Sequence, residues 1–258
     1  MQKENGNIIN NKEKAEMINV IVNGKGGVGK TVNANHVLPF ITQSSVVVEI
    51  DNNNFSSIYS NSQQIDGKTV TTKQNDLEKA IDDADFDGYE KNIIIDAGGG
   101  EDTKKVIKAI QAVGLKVVYW LPLMPDFETI AVLQSTRELI GGAECNLIFS
   151  NFRNLEEDFW FIYGSEEYGI EPNLGILEHF SNSYQVPNSN LFGIAKAYKT
   201  TLWDLALIHS GYKLEKVKKE WREHGRETYH KNMQMHRLSV ACDKLLEQIK
   251  ASKNQIEV

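Results

Sequence analysis

The residues best suited to chemistry stand close together near the start of the chain, in Asn23-Gly24-Lys25-Gly26-Gly27-Val28-Gly29-Lys30-Thr31. From Gly24 to Thr31 the spacing is GxxxxGKT, which joins a bendable backbone to a cation and a hydroxyl. Without Cβ atoms, glycines let successive N–H groups turn inward on an anion and accept positive φ. Lys30 then meets the terminal phosphates of a nucleoside triphosphate, and Thr31 offers its hydroxyl to Mg²⁺. Gly24, Gly26, Gly27, Val28, Gly29, Lys30 and Thr31 are thus the expected phosphate-binding set. Lys25 is surplus to that chemistry.

A triphosphate site also needs a carboxylate for the metal and a group that orients water, and in α/β proteins such groups come from strand ends. The run Asn92-Ile-Ile-Ile-Asp96 is an apolar strand that delivers one carboxylate to the metal's water shell. Asp96-x-x-Gly99 adds a glycine N–H placed to sense a γ phosphate, and the consecutive glycines 98–100 let that loop move at little steric cost. A second carboxylate, Asp51, ends the run Val46-Val-Val-Glu-Ile-Asp51. Thr31, Asp51 and Asp96 form the expected Mg²⁺ set.

Strands are expected at residues 18–23, 45–50, 91–96, 115–121 and 145–150, where the sequence is nearly continuous in apolar residues, as in strands buried on both faces. Helices are expected after Lys30 and over residues 75–84, 101–113 and 126–140. Alternation of the two predicts βαβ units and an α/β fold: a parallel β-sheet flanked by helices. Pro39 should kink or stop the first helix, since a proline inside a helix costs about 3 kcal/mol. Residues 1–16 read as a flexible polar tail, 17–210 as the sheet-containing domain, and 211–258 as a helical appendage to it.

At 258 residues and 41% hydrophobic content, the chain can build one α/β core. A formal charge of −7 argues against a wholesale nucleic-acid coat but leaves room for a local basic face. Cys145 and Cys242 lie far apart with no metal-ligand spacing, which fits a reducing cytoplasm and suggests neither a disulfide framework nor a zinc site. No apolar run approaches the roughly 18 residues of a membrane span, so no integral membrane association is expected.

Lys25-Gly-Gly-Val-Gly-Lys-Thr31 resembles the deviant Walker A motif of the ParA/MinD family of ATPases, whose hallmark is the extra lysine. The resemblance implies a P-loop NTPase fold of the SIMIBI-like type, ATP and Mg²⁺ as cofactors, and hydrolysis of ATP to ADP and phosphate. It also implies a homodimer on ATP binding, in which the equivalent of Lys25 reaches the phosphates held by the other subunit. A physical reason agrees: a cation supplied in trans neutralises charge that develops on the transferring phosphoryl group. The run Val46 to Asn54 resembles the family's switch I, with Glu49 on its first Asp and Asp51 on its second. Asp51 is then the residue that orients the attacking water, and Lys25, Lys30 and Asp51 are the catalytic candidates. Asn52, Asn53 and Asn54 depart from the family's Asp-Pro-Gln continuation, which bears on the hydrolysis rate; a turn-forming run that only caps the strand is the alternative. Asn151 falls where the family carries an Asn against the adenine base, though a loop Asn also serves as a turn former. The segment 186–206 is similar to the family's segment near the base. The likeness spans residues 17–207.

Between residues 213 and 237 there are eight Lys or Arg against four Glu, net +4 on a chain of −7. Such a stretch is either a solvated helical face or a surface that holds DNA phosphates without reading sequence, as the family's partition members use. The last apolar stripe, Leu238, Ala241, Leu245, Leu246 and Ile249, is expected to pack on the domain or a second subunit, since its charges do not favour anionic lipid. The aromatic, acidic stretch 155–170 is outside the family pattern and is the expected adaptor-binding or dimer-rim insertion, unless it covers local core. Two functions follow: an ATP-dependent dimerising switch that positions cargo, most plausibly plasmid DNA in partition or conjugative transfer, or a nucleotide-gated scaffold with little hydrolysis that recruits a protein partner.

Overall fold

The structure is a computed structural model that describes residues 18–52, 58–88 and 91–255. The tail expected over residues 1–16, together with Asn53 and Asn54, lies outside them. From β1 (Ile18–Ile21) the chain passes through the glycine loop into α1 (Lys30–His36) and α2 (Leu38–Thr42), then returns as β2 (Val46–Ile50). After β3 (Asp66–Val70) and α3 (Gln74–Gly88) come β4 (Ile93–Ala97) with α4 (Glu101–Val113), and β5 (Val117–Leu123) with α5 (Glu128–Ile140). β6 (Cys145–Phe152) leads into the short α6 (Leu155–Asp158) and α7 (Trp160–Tyr163), and β7 (Asn182–Pro187) into α8 (Asn190–Ala197) and α9 (Leu202–Leu207). The chain closes with α10 (Leu214–Glu223), α11 (Arg226–Ala251) and a short β8 (Asn254–Gln255).

Among the described residues the strands form one sheet in the order β3-β2-β4-β1-β5-β6-β7-β8, parallel except where β8 runs antiparallel to β7. The expected parallel α/β architecture is present. β1 lies between β4 and β5: the chain builds β2, β3 and β4 on one side of β1 before it crosses to β5 on the other, and a crevice opens at the carboxyl ends of these strands. Register sets what surrounds it: Ile21 is level with Asp96, and Asp96 with Glu49. The loop after β1 and the acidic ends of β2 and β4 therefore meet in space although 20 to 75 residues part them.

Two apolar layers hold the sheet. α3, α4, α5 and α7 cover one face through residues such as Ile81, Ile107, Leu133 and Ile162. α1, α2, α8, α9 and α11 cover the other through Leu38, Leu205 and Leu246. The predicted kink at Pro39 is a break: α1 stops at His36, and Pro39 sits in the first turn of α2, where its missing N–H goes unused. β3 and β7 escaped the sequence reading because Asp66-Gly-Lys-Thr-Val70 and Asn182-Ser-Tyr-Gln-Val-Pro187 lie towards the sheet's edges and lack the continuous apolar signal.

The last helix begins earlier than its apolar stripe, as one 26-residue helix from Arg226. Its buried line is Cys242, Leu245, Leu246 and Ile249, with Leu238 partly covered. Ala241, expected on that stripe, is exposed, because at about 100° per residue Cys242 continues the line from Leu238. Leu246→Ala is therefore expected to lower unfolding free energy by about 2–5 kcal/mol through the cavity it leaves. Val240→Ala, on the exposed side of the same helix, should change it by no more than about 0.5 kcal/mol. Urea denaturation of both variants checks the pair.

Candidate functional site

The glycine loop is pinned from below by Asn23. This residue is fully buried; its Nδ2 donates to Pro122 O at 2.9 Å, and its Oδ1 accepts the Lys25 N–H at 2.8 Å. Gly27 and Gly29 take φ values of 75° and 86°, in the left-handed region that favours glycine. Nothing lies within 4 Å of where a Cβ would stand on Gly26 or Gly27, so the loop's upper side is an open cradle. Lys30 is only 7% exposed, and its Nζ donates to Asn23 O and Lys25 O at 3.0 Å each. Burial holds its pKa below the usual lysine range, with Asp96 and Asp51 opposing the fall.

Over the cradle stands the loop that follows β4. Gly100 N–H donates to Gly24 O at 2.8 Å, and the Thr103 hydroxyl bonds Gly98 O at 2.5 Å and Asn23 O at 3.1 Å. A Cβ on Gly99 would come within 3.4 Å of the Gly26 backbone, which places residue 99 directly against the phosphate loop. Between the loops is a cavity of about 270 Å³ lined by Lys30, Thr31, Glu49, Asp51, Asp96 and Gly99 among others. Glu49 joins the expected residues there. Its signal in the sequence was a single carboxylate inside an otherwise apolar strand.

Asp96 is 2% exposed and its Oδ1 has no hydrogen-bond partner. Burial pushes its carboxyl from 3.8 up to about 7; the Thr31 hydroxyl bond opposes this, Glu49 adds to it, Lys30 opposes it and Asp51 adds to it. An orphaned buried carboxylate oxygen beside a hydroxyl and a second carboxylate fits a hard divalent cation, and the glycine cradle fits phosphate. Thr31, Asp51 and Asp96 would hold Mg²⁺, whose chemistry is to neutralise phosphate charge.

Lys25 points away from this cavity's centre. Its ammonium pairs with the carboxylate of Asp126 and lies 3.6 Å from Glu128, at the start of α5. The pairing raises the lysine pKa, chiefly through the Asp126 hydrogen bond, and the same bond lowers that of Asp126. In the single chain this ammonium is thus engaged by its own α5.

A second cavity, about 250 Å³, opens on the other flank of the loop and shares Gly27, Gly29 and Val32 with the first. Met124, Asn151, Pro187 and Phe192 contribute to its walls. Asn151 sits in β6 at a register shift against β7, with φ 61°, a left-handed conformation that Asn tolerates better than most residues. The sequence-flagged Asn151 and the segment beginning at Val186 are thus brought together beside the loop.

The solved structures similar to the chain include two cell division proteins. The MinD cell division protein of Aquifex aeolicus is 11% identical, with 94% of this chain and all of that one covered, at a TM-score of 0.50. A chain of the MinC:MinD cell division protein complex from the same organism is also 11% identical, with 94% of this chain and 98% of that one covered, at 0.53. The chain has the MinD fold. No family model and no curated protein matches the sequence, so the likeness is one of architecture: a parallel sheet flanked by helices, as expected for ParA/MinD ATPases.

On this MinD fold, residues 155–170 divide between core and surface. Phe159, Phe161 and Ile162 are buried in the layer beneath α5, so the stretch serves local packing. Trp160, 37% exposed, stacks on Phe127 at 6.0 Å, one residue from the Asp126 that holds Lys25. Beyond it is an open cavity of about 910 Å³ walled by Trp160, Tyr163, Tyr168 and glutamates that include Glu157 and Glu167.

The buried Asp96 yields a pH test. Because its carboxyl is raised in the fold, the stability it contributes is complete below about pH 4 and is lost as pH rises to about 7. In nucleotide-free protein, Asp96→Asn should therefore unfold at a higher temperature than wild type above about pH 7, with the gap shrinking towards about pH 4. Thermal unfolding across that range measures it. An equal gap at every pH would mean that the site does not disfavour the charge.

Proposed function

We propose that the protein is a ParA/MinD-type ATPase: a switch that binds ATP and Mg²⁺, closes as a homodimer and reopens on hydrolysis. One observation carries the reading. Gly26, Gly27, Gly29, Lys30 and Thr31 of the GxxxxGKT loop contribute with Asp51 and Asp96 to a single cavity, and the loop carries a second lysine that is paired with Asp126. In this reading residues 17–210 are the ATPase domain and 211–258 its helical appendage, in a cytoplasmic protein. The MinD fold supports it.

Each residue then has a role. Gly24, Gly26, Gly27, Val28, Gly29 and Lys30 bind the phosphates, Thr31 and Asp96 hold the metal, and Asp51, itself near the metal, orients the attacking water. Gly99 senses the γ phosphate, and Asn151 contacts the base from the second cavity. Lys25 acts in trans, which requires its ion pair with Asp126 to open before the ammonium can reach a neighbour's phosphates. Dimerisation thereby trades one partner of Lys25 for another.

The cargo proposed is plasmid DNA in partition or conjugative transfer, with an adaptor protein met through residues 155–170. Lys213, Lys216, Lys219, Arg222, Arg226, Lys231 and Arg237 are all exposed along α10, α11 and their approach, which supports a nonspecific phosphate-binding face.

Sedimentation separates the dimer reading from its absence: wild type should shift from monomer to dimer with ATP but not ADP, and Lys25→Ala should stay monomeric. Equal monomer fractions in both proteins would reject a trans-acting lysine. For the DNA branch, ATP-dependent retention of duplex DNA should fall steeply with salt, and Lys216→Glu with Lys219→Glu should weaken it at low salt by about tenfold or more. No ATP-dependent retention at low salt removes that branch.

A further inference from the structure

Asn52 stands where the ParA/MinD pattern has proline, and its amide is the centre of a polar cluster outside the phosphate loop. Its Nδ2 donates to Asp102 Oδ1 at 2.9 Å and to the Thr72 hydroxyl, while its Oδ1 accepts the Thr72 N–H at 3.1 Å. The Thr72 hydroxyl passes its own hydrogen to Asp102 Oδ1 at 2.9 Å, and the Asn52 N–H faces Asp102 Oδ2 at 3.4 Å. Thr72 and Asp102 are 5% and 7% exposed and the bond between them is buried, whereas Asn52 is exposed and closes the cluster from the surface side. Proline at 52 would supply neither the amide nor the backbone donor.

The cluster joins three places. Asn52 follows β2, Thr72 lies between β3 and α3, and Asp102 is in the first turn of α4 just after the Gly98–Gly100 loop. Gly98 is the point of contact with the phosphate cavity. A Cβ there would stand 3.0 Å from Asp102 Oδ2 and 3.1 Å from Asp51 Cγ, so the two carboxyl groups flank one glycine. Like charges this near repel, and donors decide where each one settles. Asp102 is taken up by Asn52 and Thr72, whereas Asp51 lines the cavity with Lys30, Thr31 and Asp96.

We propose that Asn52, Thr72 and Asp102 are positioning residues, a clamp that holds Asp51 against the phosphate cavity and ties it to the loop after β4. The proposal rests on the ATPase reading above. It gives the departure from Asp-Pro-Gln a purpose: the fixed φ of proline is replaced by side-chain bonds that move together with α4.

The test uses the full chain, with ADP affinity in Mg²⁺ and steady-state ATP turnover measured for Asn52→Ala, Thr72→Val and Thr72→Ser. Displacing a positioned group by about 1 Å costs on the order of a hundredfold, so kcat should drop about tenfold to a hundredfold in Asn52→Ala and Thr72→Val. ADP affinity should not change, and Thr72→Ser, which keeps the hydroxyl, should recover most of the rate. Hydrogen exchange gives a readout free of activity: the Thr72 amide should exchange faster in Asn52→Ala, where its acceptor is gone. Unchanged kcat in both variants overturns the clamp, as does a parallel loss of ADP affinity or an unchanged Thr72 amide. Wild type that binds ADP without turning over ATP also overturns it, leaving the nucleotide site intact and favouring the scaffold. Failure of wild type to bind ADP removes the ATPase reading as well.

Discussion

A buried ammonium and a buried carboxylate share one small cavity at the carboxyl ends of β1 and β4, and the surrounding structure serves to make that tolerable. Desolvation pulls the Lys30 pKa down and pushes that of Asp96 up, so each ion is disfavoured where the fold puts it. Loop carbonyls of Asn23 and Lys25 answer the ammonium, and the Thr31 hydroxyl answers the carboxylate. One Asp96 oxygen remains unanswered. Groups held in this way gain most from a ligand that brings both cation and anion, as the proposed Mg²⁺ and triphosphate would.

Around this centre, several segments touch the phosphate loop through polar contacts rather than apolar packing. Thr103 and Gly100 reach it from the β4 side, and Asp126 reaches Lys25 from α5. Asp51 reaches the same cavity from β2, next to Asn52. Hydrogen bonds and ion pairs can exchange partners at far smaller cost than a packed core can be rebuilt, so the segments around the loop are joined to a rigid sheet by replaceable contacts.

The sheet also separates two late segments of the chain. The acidic stretch with Phe159 and Phe161 packs into the same apolar layer as α3, α4 and α5, whereas the C-terminal half of α11 packs into the opposite one. The exposed basic residues of α11, Arg226, Lys231 and Arg237, precede the part of that helix that packs on the sheet.

By itself, the sequence determined the central strands, the helices that follow them and the phosphate loop, because each is a local pattern: apolar runs for buried strands, and glycine, lysine and threonine at fixed spacing for the loop. The edge strand β3 and the outer strand β7 lacked that pattern, and α11 starts at Arg226, well before its apolar stripe. Only the tertiary structure decided that Glu49 joins Asp51 and Asp96, that Lys25 is met by Asp126, and that Asn52 finds Thr72 and Asp102. Those meetings depend on strand order and register, which bring residues from distant parts of the chain within hydrogen-bond reach. Local spacing carries no record of them.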